Sequence, residues 1–444
     1  MNVLFKQDTH LPTIIGITSA LLYLSLAFGS RSYGDLGLNH LLIVSSSCAL
    51  MSFYLWHVLN KSGQQIGLLT LFGFAIVFRF IGGFTFPILE DDFYRYLWDG
   101  RMTWLNGTPY DVAPSSAFDD ETLTDRFELI LDSINYPNVT TVYGPSCQWL
   151  FALAYLISPG EIWPLKLILA IVDLILIASL LKLAKPNSVL LYAWSPLVIK
   201  EFVITVHPDI LGALFVVLTL LTLQHKRMIM VGGFLALAAG VKVFALILVP
   251  FILQFNLRAW LSFITTAILV AFPFGLLQAW VPGGLSAMGD TWLFNAPVYF
   301  IFGQIFAISY IKLSLLCVLA VGCGIYFWRL IIIPKLHGSG TDVASPPLIR
   351  GDLLFACLFL CAPVMNAWYF AWLLPFAVIR PTVWAWLASI TILLSYASGL
   401  NLTNSSLEAY ALSPWVIAIE YVPPLLAFMA APYLTRYYNS IKNL

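Results

Sequence analysis

Apolar runs of about 20 residues recur along the chain, near 11–29, 39–60, 66–87, 163–182, 187–206, 208–223, 258–282, 311–333, 382–400 and 413–434. At 1.5 Å per helical residue, each run matches a hydrocarbon layer ~30 Å thick. The alternating ten-residue segments of an outer-membrane barrel are missing. The pattern predicts an all-α polytopic membrane protein. Three further pieces fit less simply: a short run at 145–158, and runs at 229–253 and 351–379 that are interrupted by "GVKVFA" and "APVMNAWY".

Basic residues cluster at the ends of these runs, and cytoplasmic ends carry the excess of Lys and Arg. One topology puts Lys6, Lys61, Lys182, Lys185, Lys226, Arg227, Arg258, Arg329, Lys335, Arg350, Arg380, Arg436 and Lys442 all on the cytoplasmic side. It requires 145–158 not to cross completely, and 229–253 and 351–379 each to dip in and return as a bent hairpin or broken helix. Such breaks are tolerated where the backbone faces protein or a water-filled cavity. The segment 88–145, "HPD" at 207–209, "GVKVFA", "FNAP" at 294–297 and "MNAWY" at 365–369 then all come out on or near the external face.

Composition agrees: 60% of the 444 residues are hydrophobic and 10% charged, with a mean hydropathy of +0.88, outside the soluble globular range. Zero net charge gives no case for nucleic-acid binding. Cys48, Cys317, Cys323, Cys357 and Cys361 lie in apolar runs and Cys147 stands beside the long loop, so neither a disulfide nor a metal cluster is expected. Before the first run only Lys6 stands against Asp8, and the run is long for a signal peptide, so a retained span is expected. No internal repeat is visible, and the one linker-like piece is "HGSGTDVASPP".

The segment 88–145 holds eleven of the twenty-two acidic residues. Within it, residues 91–105 contain no proline, only Gly100 as glycine, and aromatics spaced for an amphipathic helix at the interface; "NGTPY" ends that helix as a turn. Asp91 and Asp92 lie within a turn of the third apolar run. A partly desolvated carboxylate is suited to taking a proton from a hydroxyl, although solvated interfacial acids would look the same. Helical spacing offers Arg95 to either as an ion pair. Lys242 stands in the middle of an apolar run, where a cation faces a cavity or an anion; Asp173 and Glu201 are the partners within the spans. In "HPD", His207 is suited to a phosphate, and Asp209 to orienting it or capping the next helix. "MNAWYFAW" offers amide, indole and phenol groups for a sugar ring, or an interfacial aromatic belt. Arg79 can reach a cavity or snorkel to a headgroup. No GxxxxGK[ST], GxSxG, CxxC or HExxH occurs.

"DDFYRYLWDGRMTWLNGTPY" followed by "INYPNVTTVYGPSCQWLF" resembles the signature of superfamily C (GT-C) integral-membrane glycosyltransferases, especially bacterial mannosyltransferase-like members that use polyprenyl-phosphate sugars. "HPDILGALFVVLTLL", "LAAGVKVFALILVP", "FNAP" and "APVMNAWYFAWLLPF" are similar to that family's later signatures, so the likeness runs from about 85 to 380. The chain departs with "GTPY" for Asn–Pro–Tyr, and with "VYGPS", where Gly144 stands in place of a proline. The resemblance implies one domain over 1–444, a GT-C fold of about 10–13 transmembrane helices, and an external catalytic loop over 88–145. It implies Asp92 or Asp91 as catalytic base, with Asp92 aligning best. Arg95, His207 and Lys242 would neutralise the donor phosphate, and Asp99, Arg101, Asp209, Asn366, Trp368 and Tyr369 would shape the sugar and acceptor sites.

The expected function is inverting transfer of a hexose, mannose first, from a polyprenyl-phosphate donor to a glycan, lipid or protein hydroxyl. The expected place is the external face of a bacterial inner membrane. Glucose, galactose and arabinose stay open. No cofactor is required by the charge arithmetic, and a divalent metal stays open. The alternative is a transporter or flippase of a lipid-linked sugar, which calls for a two-fold repeat and mid-membrane charge.

Overall fold

The computed structural model describes residues 10–29, 35–284, 292–336, 349–398 and 413–442. Lys6 and "HGSGTDVASPP" lie outside the described residues. Among the described residues the fold is helical, with no strand and one isolated bridge between Phe294 and Val364.

The first apolar runs form α1 (His10–Gly29), α2 (Asp35–Lys61) and α3 (Leu68–Phe84). The loop region that follows carries α4 (Asp92–Asn106) and α5 (Asp125–Asp132), and leads into α6 (Pro145–Ile157) and α7 (Trp163–Leu180). The expected span at 187–206 is divided into α8 (Pro186–Ala193) and α9 (Pro196–Ile204), and α10 (Asp209–Gln224) leaves α9 at 117°. Then come α11 (Met228–Val241), α12 (Val243–Leu253), α13 (Leu257–Ala271), α14 (Leu276–Trp280), α15 (Pro297–Phe302) and α16 (Ile308–Phe327). The chain closes with α17 (Gly351–Cys361), α18 (Ala367–Ile379), α19 (Val383–Ala397) and α20 (Pro414–Lys442).

Among the described residues six helices are long and apolar enough to cross a membrane, or seven if the bent α9–α10 pair counts as one span. That is fewer than the ten to thirteen expected. Prolines at 186, 196 and 208, the extended residue Lys242, and the break at 362–366 divide several of the other apolar runs, and the rest, α3 and α19 among them, form apolar helices of 10–17 residues. Large apolar side chains along α1, α13, α16 and α20 stay exposed, as lipid-facing surfaces do, while one continuous apolar core joins α3, α7, α9, α10 and α18.

Arg79 neither lines a cavity nor snorkels. Its guanidinium is buried against Asp173 at 2.7 Å and donates to the Ala193 carbonyl, while Tyr192 Oη donates to the other Asp173 oxygen at 2.9 Å. These bonds fasten α3 to α7 and α8. Asp173→Ala is expected to cost about 3–5 kcal/mol, because it strands a buried guanidinium; a fall in the unfolding midpoint in detergent, with Asp173→Asn intermediate, checks it.

The amphipathic helix expected over 91–105 is α4, ended by Gly107 in the left-handed region at φ 81°. It does not lie free on a surface. Its apolar face, including Tyr96 and Trp98, is buried, and a Cβ on Gly100 would stand 2.4 Å from the Phe151 carbonyl of α6. Gly144 has a similar use: a Cβ there would stand 2.3 Å from the Gly240 carbonyl. Glycine in place of proline lets the loop close onto the end of α11.

Candidate active site

The loop before α4, the first turn of α4, segment 135–145, the α11–α12 break and the turn before α18 converge on one cleft of about 260 Å³. Asp91, Asp92, Arg95, Lys242, Asn366, Trp368 and Tyr369, all singled out from sequence, line it.

Asp91 is the residue before the first turn of α4, and Asp92 opens that turn. Asn135 Nδ2 donates to Asp91 Oδ1 at 2.5 Å, and Tyr143 Oη donates to Asp92 Oδ2 at 3.0 Å. Burial, and after it the neighbouring Asp92 charge, pushes the Asp91 carboxyl up to about 8. Burial raises Asp92 as well, but the Tyr143 hydrogen bond, Lys242 and Arg95 oppose it. Of the pair, Asp92 is the one with cations and a hydroxyl donor acting to lower it against its burial. Glu90 is buried beside them and held well above the usual carboxylate range, first by burial and then by Asp92. One oxygen from each of Glu90, Asp91 and Asp92 lies within 4.8 Å of the others, so this trio is the set that could hold a cation.

Arg95 pairs forward along its helix rather than back to Asp91 or Asp92. Its Nε meets Asp99 Oδ1 at 2.9 Å, and its Nη1 donates to the Val139 carbonyl at 2.9 Å. Asp99 wins because it is fully buried and gathers two more donors, the Thr141 hydroxyl and the Gln148 amide. It thus ties α4 to segment 139–148 instead of lining the cleft. Arg101 is also away from the cleft, its guanidinium lying over the rings of Trp98 and Phe127 at 5.6 and 5.3 Å.

Lys242 ends α11 with extended backbone at φ −155° and ψ 136°. Its partner is neither Asp173 nor Glu201 but Asp209, at 3.1 Å, and its ammonium lies 4.2 Å from the Tyr369 ring centroid. Asp209, in the first turn of α10, sits behind Lys242 and accepts a bond from Trp372 Nε1 at 2.8 Å. Glu201 is occupied by Lys200 at 3.2 Å and by the Tyr396 hydroxyl at 3.0 Å.

His207 is fully buried outside the cleft lining. Its ring stacks on Trp368 at 3.8 Å, Nδ1 meets Tyr96 Oη at 3.0 Å, and Nε2 stands 3.6 Å from Glu201 and 4.0 Å from Glu90. It backs the cleft wall rather than reaching into it. Sequence reasoning gave no role to Glu90, Asn135 and Tyr143. The last two lie in "INYPNVTTVYGPS", where a polar side chain spaced 44 or 51 residues from its acid leaves no periodic signal.

Two carboxylates, two cations and an aromatic-amide wall in one cleft can bind a sugar phosphate and accept a proton beside it. Residues 83–258 match the family model described as "Alpha-(1->6)-mannopyranosyltransferase, N-terminal domain" of the MptA_B family. The protein is a membrane glycosyltransferase. The match covers about two fifths of the chain and supports a mannosyltransferase-like enzyme similar to superfamily C; the matched region holds Asp91, Asp92, Arg95 and Lys242. No curated protein and no solved structure matches the chain.

Proposed function

We propose that the protein moves a mannosyl residue from a polyprenyl-phosphate donor to an acceptor hydroxyl, at the external face of a bacterial inner membrane. The whole chain acts as one catalytic unit, with 88–145 as its external loop. Asp92 takes the acceptor proton as the acceptor oxygen forms a bond to the anomeric carbon. The bond from that carbon to the phosphate oxygen breaks, and the configuration inverts because a single displacement needs one base. Lys242 and Arg95 face the phosphate as its charge grows. Asn366, Trp368 and Tyr369 hold the sugar. His207, Asp209, Asp99 and Arg101 act from behind the cleft, positioning Trp368, Lys242, Arg95 and α4.

The observation that carries this reading is the placement of Asp92 and Lys242 on one cleft lining, with Lys242 among the charges that favour ionised Asp92. The test is transfer of labelled sugar from synthetic polyprenyl-phosphate mannose by purified protein in nanodiscs. Turnover that disappears in Asp92→Asn while donor binding persists supports the reading. Binding without any turnover, accompanied by movement of the lipid between leaflets, removes it.

Asp91 adds a pH signature. A group with its carboxyl at about 8 is neutral at pH 7 and gains charge as pH rises through 8. That second negative charge repels the donor phosphate, so KM for donor is expected to rise about tenfold above this pH, the equivalent of about 1.4 kcal/mol. In Asp91→Asn the alkaline rise disappears; an unchanged KM profile in the variant counts against the assignment.

A further inference from the structure

At the other ends of α10 and α11 lies a second cleft, of about 610 Å³, lined by Lys226, Arg227 and Arg258 and by no Asp or Glu. The 16 residues of α10 lead from Asp209 to this end and α11 returns to Lys242, which sets the two clefts about 24 Å apart. That separation runs most of the way through a ~30 Å hydrocarbon layer, which sets the two clefts toward opposite sides of it.

The cationic cleft is built rather than incidental. Lys226 and Gln254 both take left-handed backbone, at φ 55° and 47°, to make the two turns that bring it together. Trp260 Nε1 donates to the Gln254 carbonyl at 2.9 Å, and Ser262 Oγ donates to the Ile229 carbonyl at 2.7 Å. A Cβ on Gly232 would stand 2.1 Å from the Ala259 carbonyl, so α11 and α13 touch backbone to backbone in their first turns. Two helices that start side by side add their positive ends to Arg227 and Arg258. Arg227 and Arg258 on one lining that holds no acid suit an anion.

The collar of this cleft is apolar: Ile229, Phe255 and Leu257 are 64%, 65% and 69% exposed. A free anion has no use for that collar, whereas acyl chains do. We infer that Arg227 and Arg258 hold the phosphate of an anionic phospholipid, with Ile229, Phe255 and Leu257 against its chains, in the leaflet opposite the Asp92 cleft. The lipid fastens the α10–α11 and α12–α13 turns together, at the far ends of the helices that carry Asp209 and Lys242. An anionic headgroup is favoured beside Lys and Arg at a membrane surface.

The experiment is native mass spectrometry of the full-length protein, titrated with phosphatidylglycerol and with phosphatidylcholine of the same chains. A preference of about tenfold or more for phosphatidylglycerol is expected. Arg227→Gln with Arg258→Gln should abolish it, while Arg227→Lys with Arg258→Lys should keep most of it. Because neither arginine touches the Asp92 cleft, donor binding should survive in all variants and reports that they fold. A second measurement on the unaltered protein compares thermal protection by phosphatidylglycerol and by inorganic phosphate. Equal protection by phosphate alone, or a lipid preference that persists in the Gln variant, overturns the proposal.

Discussion

Asp92→Asn is expected to lower the rate of sugar transfer by about 10²–10⁴-fold, the range a positioned general base supplies. The amide still accepts the Tyr143 hydroxyl that meets Asp92 at 3.0 Å, so the cleft keeps its shape. Removing a negative charge next to a phosphate does not weaken binding, so the loss should fall on kcat with donor KM unchanged or lower. Single-turnover transfer with bound donor separates the two. If Asp92→Asn turns over normally and Asp91→Asn is dead, the base is Asp91 and the electrostatic ranking of the two is wrong.

Lys242→Ala should cost about 10²–10³-fold in transfer, as loss of one donor to a developing oxyanion does. It also strands Asp209, which is 2% exposed and keeps only the Trp372 indole. Breaking a buried pair by removing one partner costs about 3–5 kcal/mol. A combined Lys242→Ala, Asp209→Asn variant distinguishes the two effects. Its unfolding midpoint is expected to recover most of the loss while transfer stays low. Recovery of both would mean that Lys242 serves Asp209 alone.

Periodicity carried the helical class and most apolar segments, because burial in lipid leaves long uninterrupted runs that nothing else produces. It also located the breaks at Lys242 and before Asn366, since a cation or a proline with amides inside an apolar run has no other good place. It does not show where prolines divide a run that still reads as apolar, which leaves apolar helices of 10–17 residues beside the six long ones among the described residues. Asp91, Asp92 and Lys242 stood out because a charge at the edge of a membrane is costly without a partner, and Asn366, Trp368 and Tyr369 because they mark a break in an apolar run; all six line one cleft. Their partners were not legible. Helical spacing offered Arg95 an acid on either side, and only the convergence of Thr141 and Gln148 on Asp99 decides between them. Lys242 was offered Asp173 and Glu201 within the spans, and the α9–α10 bend brings it Asp209 instead.

The break that ends α11 at Lys242 also fixes a depth. Fourteen residues of helix rise about 21 Å from the Arg227 end, some 9 Å short of a full ~30 Å hydrocarbon layer. Bond exchange would then take place beneath the headgroups of the outer leaflet rather than above them. The isoprenoid carrier of the proposed function would already be at that level, but an acceptor would have to be submerged to meet it. On the proposed function, molecules that carry their own greasy anchor, or a sugar chain slender enough to thread downward, would be admitted on those terms, and bulky hydrated ones would be turned away by the membrane before the protein is asked to choose.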